Sequence, residues 1–125
     1  MTKRVLLVED EPNIVESLRF LLGRAGFDVD VQGNGREGLA AARTTPPDVL
    51  ILDVMLPEIN GLEVLRALRA DEAGQDLPVL MLTAKGQRED RDRAIEAGAD
   101  IFLTKPFANA DLISVVETLA SGRPG

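Results

Sequence analysis

Charged residues stand directly after apolar runs in this chain of 125 residues: Glu9 and Asp10 follow VLLV, Asp53 follows VLIL, and Lys105 follows IFLT. Thr83 closes a further run, VLML. Carboxylates brought together from separate segments repel one another, so such a cluster calls for a cation. An oxygen-only donor set suits Mg²⁺, which is held by one or two carboxylates together with phosphate. Asp10 and Asp53 read as its direct ligands and Glu9 as the holder of a metal-bound water. The ammonium of Lys105 can reach back over the carboxylates, ease their repulsion and pair with a phosphoryl oxygen. Thr83 has no base to make it a nucleophile, because the chain contains no histidine, and it reads as a hydrogen-bond donor. The combined set points to phosphoryl transfer onto the Asp53 carboxylate, with Lys105 and the metal answering the charge on the equatorial oxygens.

Plainer roles exist for each residue. An Asp after a strand often caps the next helix, but the helical pattern after Asp53 resumes only near Gly61. A single lysine is usually a solvated surface group, yet Lys105 follows an apolar strand and precedes Pro106, which restricts it to extended geometry. Thr83 taken alone would be a turn or cap residue.

The elements that must position these groups are legible from periodicity. The runs at 5–8, 49–52 and 79–82 are short, continuous and rich in Val, Leu and Ile, which predicts strands buried on both faces. Helical spacing between them makes a βα alternation and a parallel sheet. In such a sheet ligands bind beyond the carboxyl ends of the strands, near the point where strand order reverses. The spacing predicts strands over 4–9, 27–32, 48–53, 78–83 and 101–103. Ile14, Leu18, Leu21, Leu22 and Ala25 are expected on the inner face of the first helix, after Pro12 at its first position. In the fourth helix, about 87–97, the charged run REDRDR leaves Ala94, Ile95 and Ala97 for the inner face, with Gly98 as C-cap. Leu112, Val115, Val116 and Leu119 form the stripe of the last helix. The expectation is a three-layer α/β sandwich of five strands and five helices, comprising one domain over 1–121 and a tail or linker start over 122–125.

Composition narrows the function. Fourteen basic against 21 acidic residues give a formal charge of -7, which disfavours direct nucleic-acid binding because phosphate contacts demand Lys and Arg. No cysteine is present, so thiol chemistry is excluded. The absence of histidine removes Ser-His-Asp and Cys-His nucleophiles and His-ligated zinc. No apolar run reaches membrane-spanning length, and a cytoplasmic location is expected.

At VLLVEDEP, ILDVMLPEINGLEVL, VLMLTA and GADIFLTKPF the chain strongly resembles the receiver domain of two-component response regulators, over about 4–119. The resemblance implies strand order 2-1-3-4-5 and a flavodoxin-like (βα)5 fold. It implies Asp53 as phosphoacceptor, Mg²⁺ held by Asp10, Asp53 and the backbone carbonyl of Met55, and a cis peptide between Lys105 and Pro106. It also implies a switch in which Thr83 couples to Phe102, with output through the fourth helix, fifth strand and fifth helix. Met55 and Lys85, with Ala84, flank the site where the family sets the rate of phosphoryl loss. Met55 offers no side chain to orient an attacking water, so a long-lived phosphoryl state is expected.

The implied partners are a sensor histidine kinase or histidine phosphotransfer protein and a downstream protein target or effector domain. The kinase side would meet Asn13, Ile14, Glu16, Ser17, Pro106 and Phe107. Ile101 stands where a charge would help a dimer, so a monomer or weak homodimer is expected. Two other classes fit the residues less well. A Mg²⁺-dependent phosphatase with an aspartyl nucleophile would need a second acid-base carboxylate close after it, and Asp53-Val54-Met55 lacks one. A phosphate-independent interaction module would have no use for Glu9, Asp10, Asp53, Thr83 and Lys105 together.

Overall fold

The computed structural model describes residues 2–83 and 88–121. Its strands are β1 (Arg4–Val8), β2 (Asp28–Gln32), β3 (Val49–Asp53), β4 (Val79–Thr83) and β5 (Ile101–Thr104). The helices are α1 (Pro12–Arg24), α2 (Gly35–Thr44), α3 (Gly61–Ala70), α4 (Arg88–Ala97) and α5 (Asn109–Ala120). All strand pairs are parallel, in the order β2-β1-β3-β4-β5, so the order reverses between β1 and β3.

The continuous apolar runs have a simple cause. Successive side chains of a strand point to opposite faces, and here both faces are covered. Leu6, Val8, Leu50, Leu52, Val79 and Met81 pack with residues of α2, α3 and α4. Val5, Leu7, Val49, Ile51, Leu80 and Leu82 pack with α1 and α5. β2 has a neighbour on one edge only, which fits its alternating DVDVQ pattern.

Local chemistry sets the helix starts. Glu11 caps α1 by accepting from the Asn13 N–H at 3.1 Å, with Pro12 next in line. Asn34 and Asn60 cap α2 and α3, accepting from the N–H groups of Glu37 and Glu63 at 2.9 and 3.0 Å.

Several expectations need correction. Ile95 does not line the inner face of α4: it is 53% exposed, while Ala94 is fully buried. The contacts of α4 with the core are made by Ala94 and Ala97. Ala25 is exposed because α1 ends at Arg24 and Ala25 is its C-cap. The polar DEAGQD stretch contains a 3₁₀ turn at Glu72–Gly74. β1 stops at Val8, although the Glu9 N–H still donates to the Gln32 carbonyl at 3.1 Å. Residues 84–87 and 122–125, including Ala84, Lys85 and the anticipated tail, lie outside the described residues. Among the described residues no helix is long and apolar enough to cross a membrane.

Candidate functional site

Parallel register delivers the polar residues to one edge of the sheet. Val8 is paired with Leu52, Asp53 with Leu82, and Thr83 with Thr104, so Glu9, Asp53, Thr83 and Lys105 all emerge at the carboxyl ends of adjacent strands. Glu9 and Asp53 are buried, at 1% and 4% exposure, and Asp10 is exposed. The Lys105 Nζ donates to Glu9 Oε1 at 2.9 Å and to Asp53 Oδ2 at 3.1 Å. Glu9 Oε2 accepts from the Glu11 N–H at 3.0 Å, and Asp53 Oδ1 from the Met55 N–H at 3.3 Å. One oxygen from each of Glu9, Asp10 and Asp53 lies within 4.8 Å of the other two.

The electrostatics show what this arrangement lacks. Burial first, and then the Glu9 charge, push the Asp53 carboxyl up from 3.8 to about 6, against the opposing pull of Lys105. For Lys105 burial works against the charged form, but the Glu9 hydrogen bond and the charges of Asp53 and Glu9 outweigh it and raise its pKa. Lys105 thus only partly offsets the cost of a charged, buried Asp53. An all-oxygen, net-negative cluster at the sheet's crevice fits a hard divalent cation such as Mg²⁺.

The chain around Asp53 is tightly folded back. The Gly61 N–H donates to the Val54 carbonyl at 2.9 Å, and a Cβ on Gly61 would lie 2.0 Å from the Asp53 carbonyl oxygen. Any side chain at 61 would therefore displace the backbone that aims Asp53. The Lys105-Pro106 peptide is cis, and the Lys105 N–H donates to the Thr83 carbonyl at 2.7 Å.

Of the residues singled out in the sequence, Glu9, Asp10, Asp53 and Lys105 are brought into one cluster. Thr83 stands at the end of the neighbouring strand, 1% exposed, its hydroxyl 3.5 Å from that of Thr104. Phe102 is partly buried against the core on the α4 side. Met55 is 67% exposed beside the cluster, and Pro106 is exposed. Two participants were missed: Glu11, whose N–H orients Glu9, and Thr104, which faces Thr83. Thr104 was findable, since it extends the fifth strand to the residue before Lys105; the Glu11 contact depends on a turn geometry that the acidic run EDE does not announce.

Among the described residues, concavities lie near the sheet. One of about 290 Å³ is lined by Asn13, Ile14, Ser17, Lys105, Pro106 and Phe107 among others, so it opens beside the Lys105 end of the site. The larger, about 690 Å³ between β2 and α2, contains none of the clustered acids and is no part of the chemistry.

Comparison with known proteins agrees with this geometry. The family described as "Response regulator receiver domain" matches residues 5–117. The chain is 41% identical over 119 residues to the alkaline phosphatase synthesis transcriptional regulatory protein PhoP of Bacillus subtilis, covering 95% of this chain and 49% of that protein. It is 46% identical over 116 residues to the transcriptional regulatory protein CusR of Escherichia coli, covering 93% and 50%. The chain thus spans about half the length of these relatives. Among solved structures, a putative response regulator from Chloroflexus aurantiacus superposes with a TM-score of 0.92 at 34% identity, covering 97% of this chain and 99% of that one. The receiver domain of a Pseudomonas aeruginosa sensor histidine kinase, with magnesium ion coordinated in its active-site cleft, gives 0.90 at 29% identity over 98% and 100%.

Proposed function

Because the chain belongs to the response regulator receiver family, we propose that it is a phosphorylation switch that takes a phosphoryl group from a phosphohistidine onto Asp53. The observation that carries this reading is the Lys105 ammonium lying on both Glu9 and Asp53, with Asp10 alongside. An oxygen of Asp53 forms the new O–P bond as the N–P bond of the donor breaks, and the electron pair stays on the imidazole nitrogen. Lys105, already on Asp53 Oδ2, is placed to pair with an oxygen of the incoming group. Asp10, Asp53 and the Met55 carbonyl would hold Mg²⁺, with Glu9 acting through a water. The ion, when bound, supplies charge neutralisation at the phosphoryl oxygens.

Thr83 then turns its hydroxyl toward the phosphoryl group, Phe102 follows inward, and the α4-β5-α5 surface changes for a protein target. Met55 and Pro106 flank the site, and Met55, with Ala84 and Lys85, sets the phosphoryl lifetime. A sensor histidine kinase or histidine phosphotransfer protein is the donor, and the concavity lined by Asn13, Ile14, Ser17, Pro106 and Phe107 supports docking there. Residues 1–121 form the receiver, and the domain works as a monomer or weak homodimer. In this reading catalysis is limited to the domain's own phosphorylation and dephosphorylation.

Mass analysis with a small phosphodonor and Mg²⁺ tests the proposal. The parent chain should gain about 80 Da, one phosphoryl group, and Asp53→Ala should gain nothing. A gain that persists in Asp53→Ala overturns the assignment.

A further inference from the structure

Sulfur is scarce and unevenly placed in this chain. It has no cysteine and three methionines, Met1, Met55 and Met81. Met81 is fully buried in β4, and Met1 lies outside the described residues. Met55 is 67% exposed, although Val54 before it is buried, and its N–H reaches Asp53 Oδ1 at 3.3 Å. Single exposed apolar side chains are ordinary. What distinguishes Met55 is that the exposed sulfur among the described residues stands two positions from the proposed phosphoacceptor.

We propose that Met55 is an oxidative modification site, and that its conversion to methionine sulfoxide by a peroxide-class oxidant shortens the lifetime of the phosphoryl group on Asp53. The second half rests on the function proposed above. A sulfur lone pair attacks one oxygen of hydrogen peroxide, an S–O bond forms and the O–O bond breaks. The departing oxygen leaves as water after proton transfer, so sulfur loses two electrons and peroxide gains them.

The consequence follows from what lies around Asp53. Hydrolysis of an acyl phosphate needs a water held toward phosphorus, and a thioether is a poor acceptor for one. The chain has no histidine to do it, and Glu9, which accepts from Lys105 and from the Glu11 N–H, is assigned to the metal-bound water. A sulfoxide oxygen at the open side of the site is a strong acceptor that can hold that water. Oxidation therefore turns a side chain that cannot hold the attacking water into one that orients it.

The test uses the whole chain treated with hydrogen peroxide. Peptide mapping should find about 16 Da, one oxygen atom, added at Met55 while Met81 stays unmodified. Phosphoryl half-life should shorten by about three- to ten-fold, the effect of one added hydrogen bond in the transition state. Methionine sulfoxide reductases should restore it. Met55→Leu should show no response to peroxide, and Met55→Gln should show the short half-life without oxidant. Oxidation that spares Met55, or equal half-lives in oxidised and reduced protein, overturns the inference. Failure of the untreated chain to take up phosphoryl overturns the proposed function and the lifetime effect with it, while the mapping still decides whether Met55 is the oxidised residue.

Discussion

Asp53 is held between opposing charges: buried, hydrogen-bonded to Lys105 at 3.1 Å, and carrying a carboxyl raised to about 6 by burial and by Glu9. Its folded-state pKa lies above the ordinary 3.8, so the folded chain binds this proton more tightly than the unfolded one. The destabilisation is fully present above about pH 6 and fades as pH falls toward 3.8. Asp53→Asn should accordingly raise the metal-free protein's stability at pH 7.5 by roughly 1 to 3 kcal/mol. Urea denaturation in chelator should show that gap narrowing at pH 5; a gap that widens on acidification contradicts the burial argument. Divalent metal should reverse the order, since the parent keeps the carboxylate proposed to bind it and the amide does not.

At the scale of elements, the loop from Asp53 to α3 carries the precision of the site. Asn60 caps α3 through the Glu63 N–H, and Asn60→Ala should lower stability by about 1 kcal/mol in a thermal melt. Gly61→Ala is a different kind of lesion. Its Cβ would meet the Asp53 carbonyl oxygen at 2.0 Å and the Val54 Cα at 3.0 Å, so the backbone beneath Asp53 must move. We expect a loss of about 1 to 3 kcal/mol with reduced phosphoryl uptake. Asn60→Ala, which leaves that backbone in place, should retain uptake. Equal uptake in both variants would separate Gly61 from the aim of Asp53.

Across the whole molecule, the edge of the sheet opposite the site is tied by one side chain. Arg69 of α3 donates to the carbonyls of Gly74, Leu77 and Gly98 and to the Asp100 carboxylate, which also accepts from the Val79 N–H at 2.8 Å. It thus joins α3, the 3₁₀ turn, the start of β4 and the α4-β5 connection. The Arg69-Asp100 pair is largely buried, so Arg69→Ala should cost about 3 kcal/mol, read from the urea midpoint. Arg69→Lys should recover little of it, because an ammonium cannot span that fork of acceptors. Phosphoryl uptake by the folded fraction should persist, since the tie lies far from the strand ends that carry the acids.

The sequence by itself determined the βα alternation, the buried strands and the placing of Glu9, Asp10, Asp53, Thr83 and Lys105 at strand ends. These follow from hydrophobic periodicity and from where it stops, which are local properties. Strand order and the cis Lys105-Pro106 peptide came through family resemblance rather than from spacing. Only the tertiary structure decided that Lys105 lies on both Glu9 and Asp53, across 96 and 52 positions, that Thr104 faces Thr83, that Ile95 points outward and that Arg69 ties four segments. Such contacts depend on the register between parallel strands and on the reach of long side chains across them. Neither quantity is written in any single stretch of sequence.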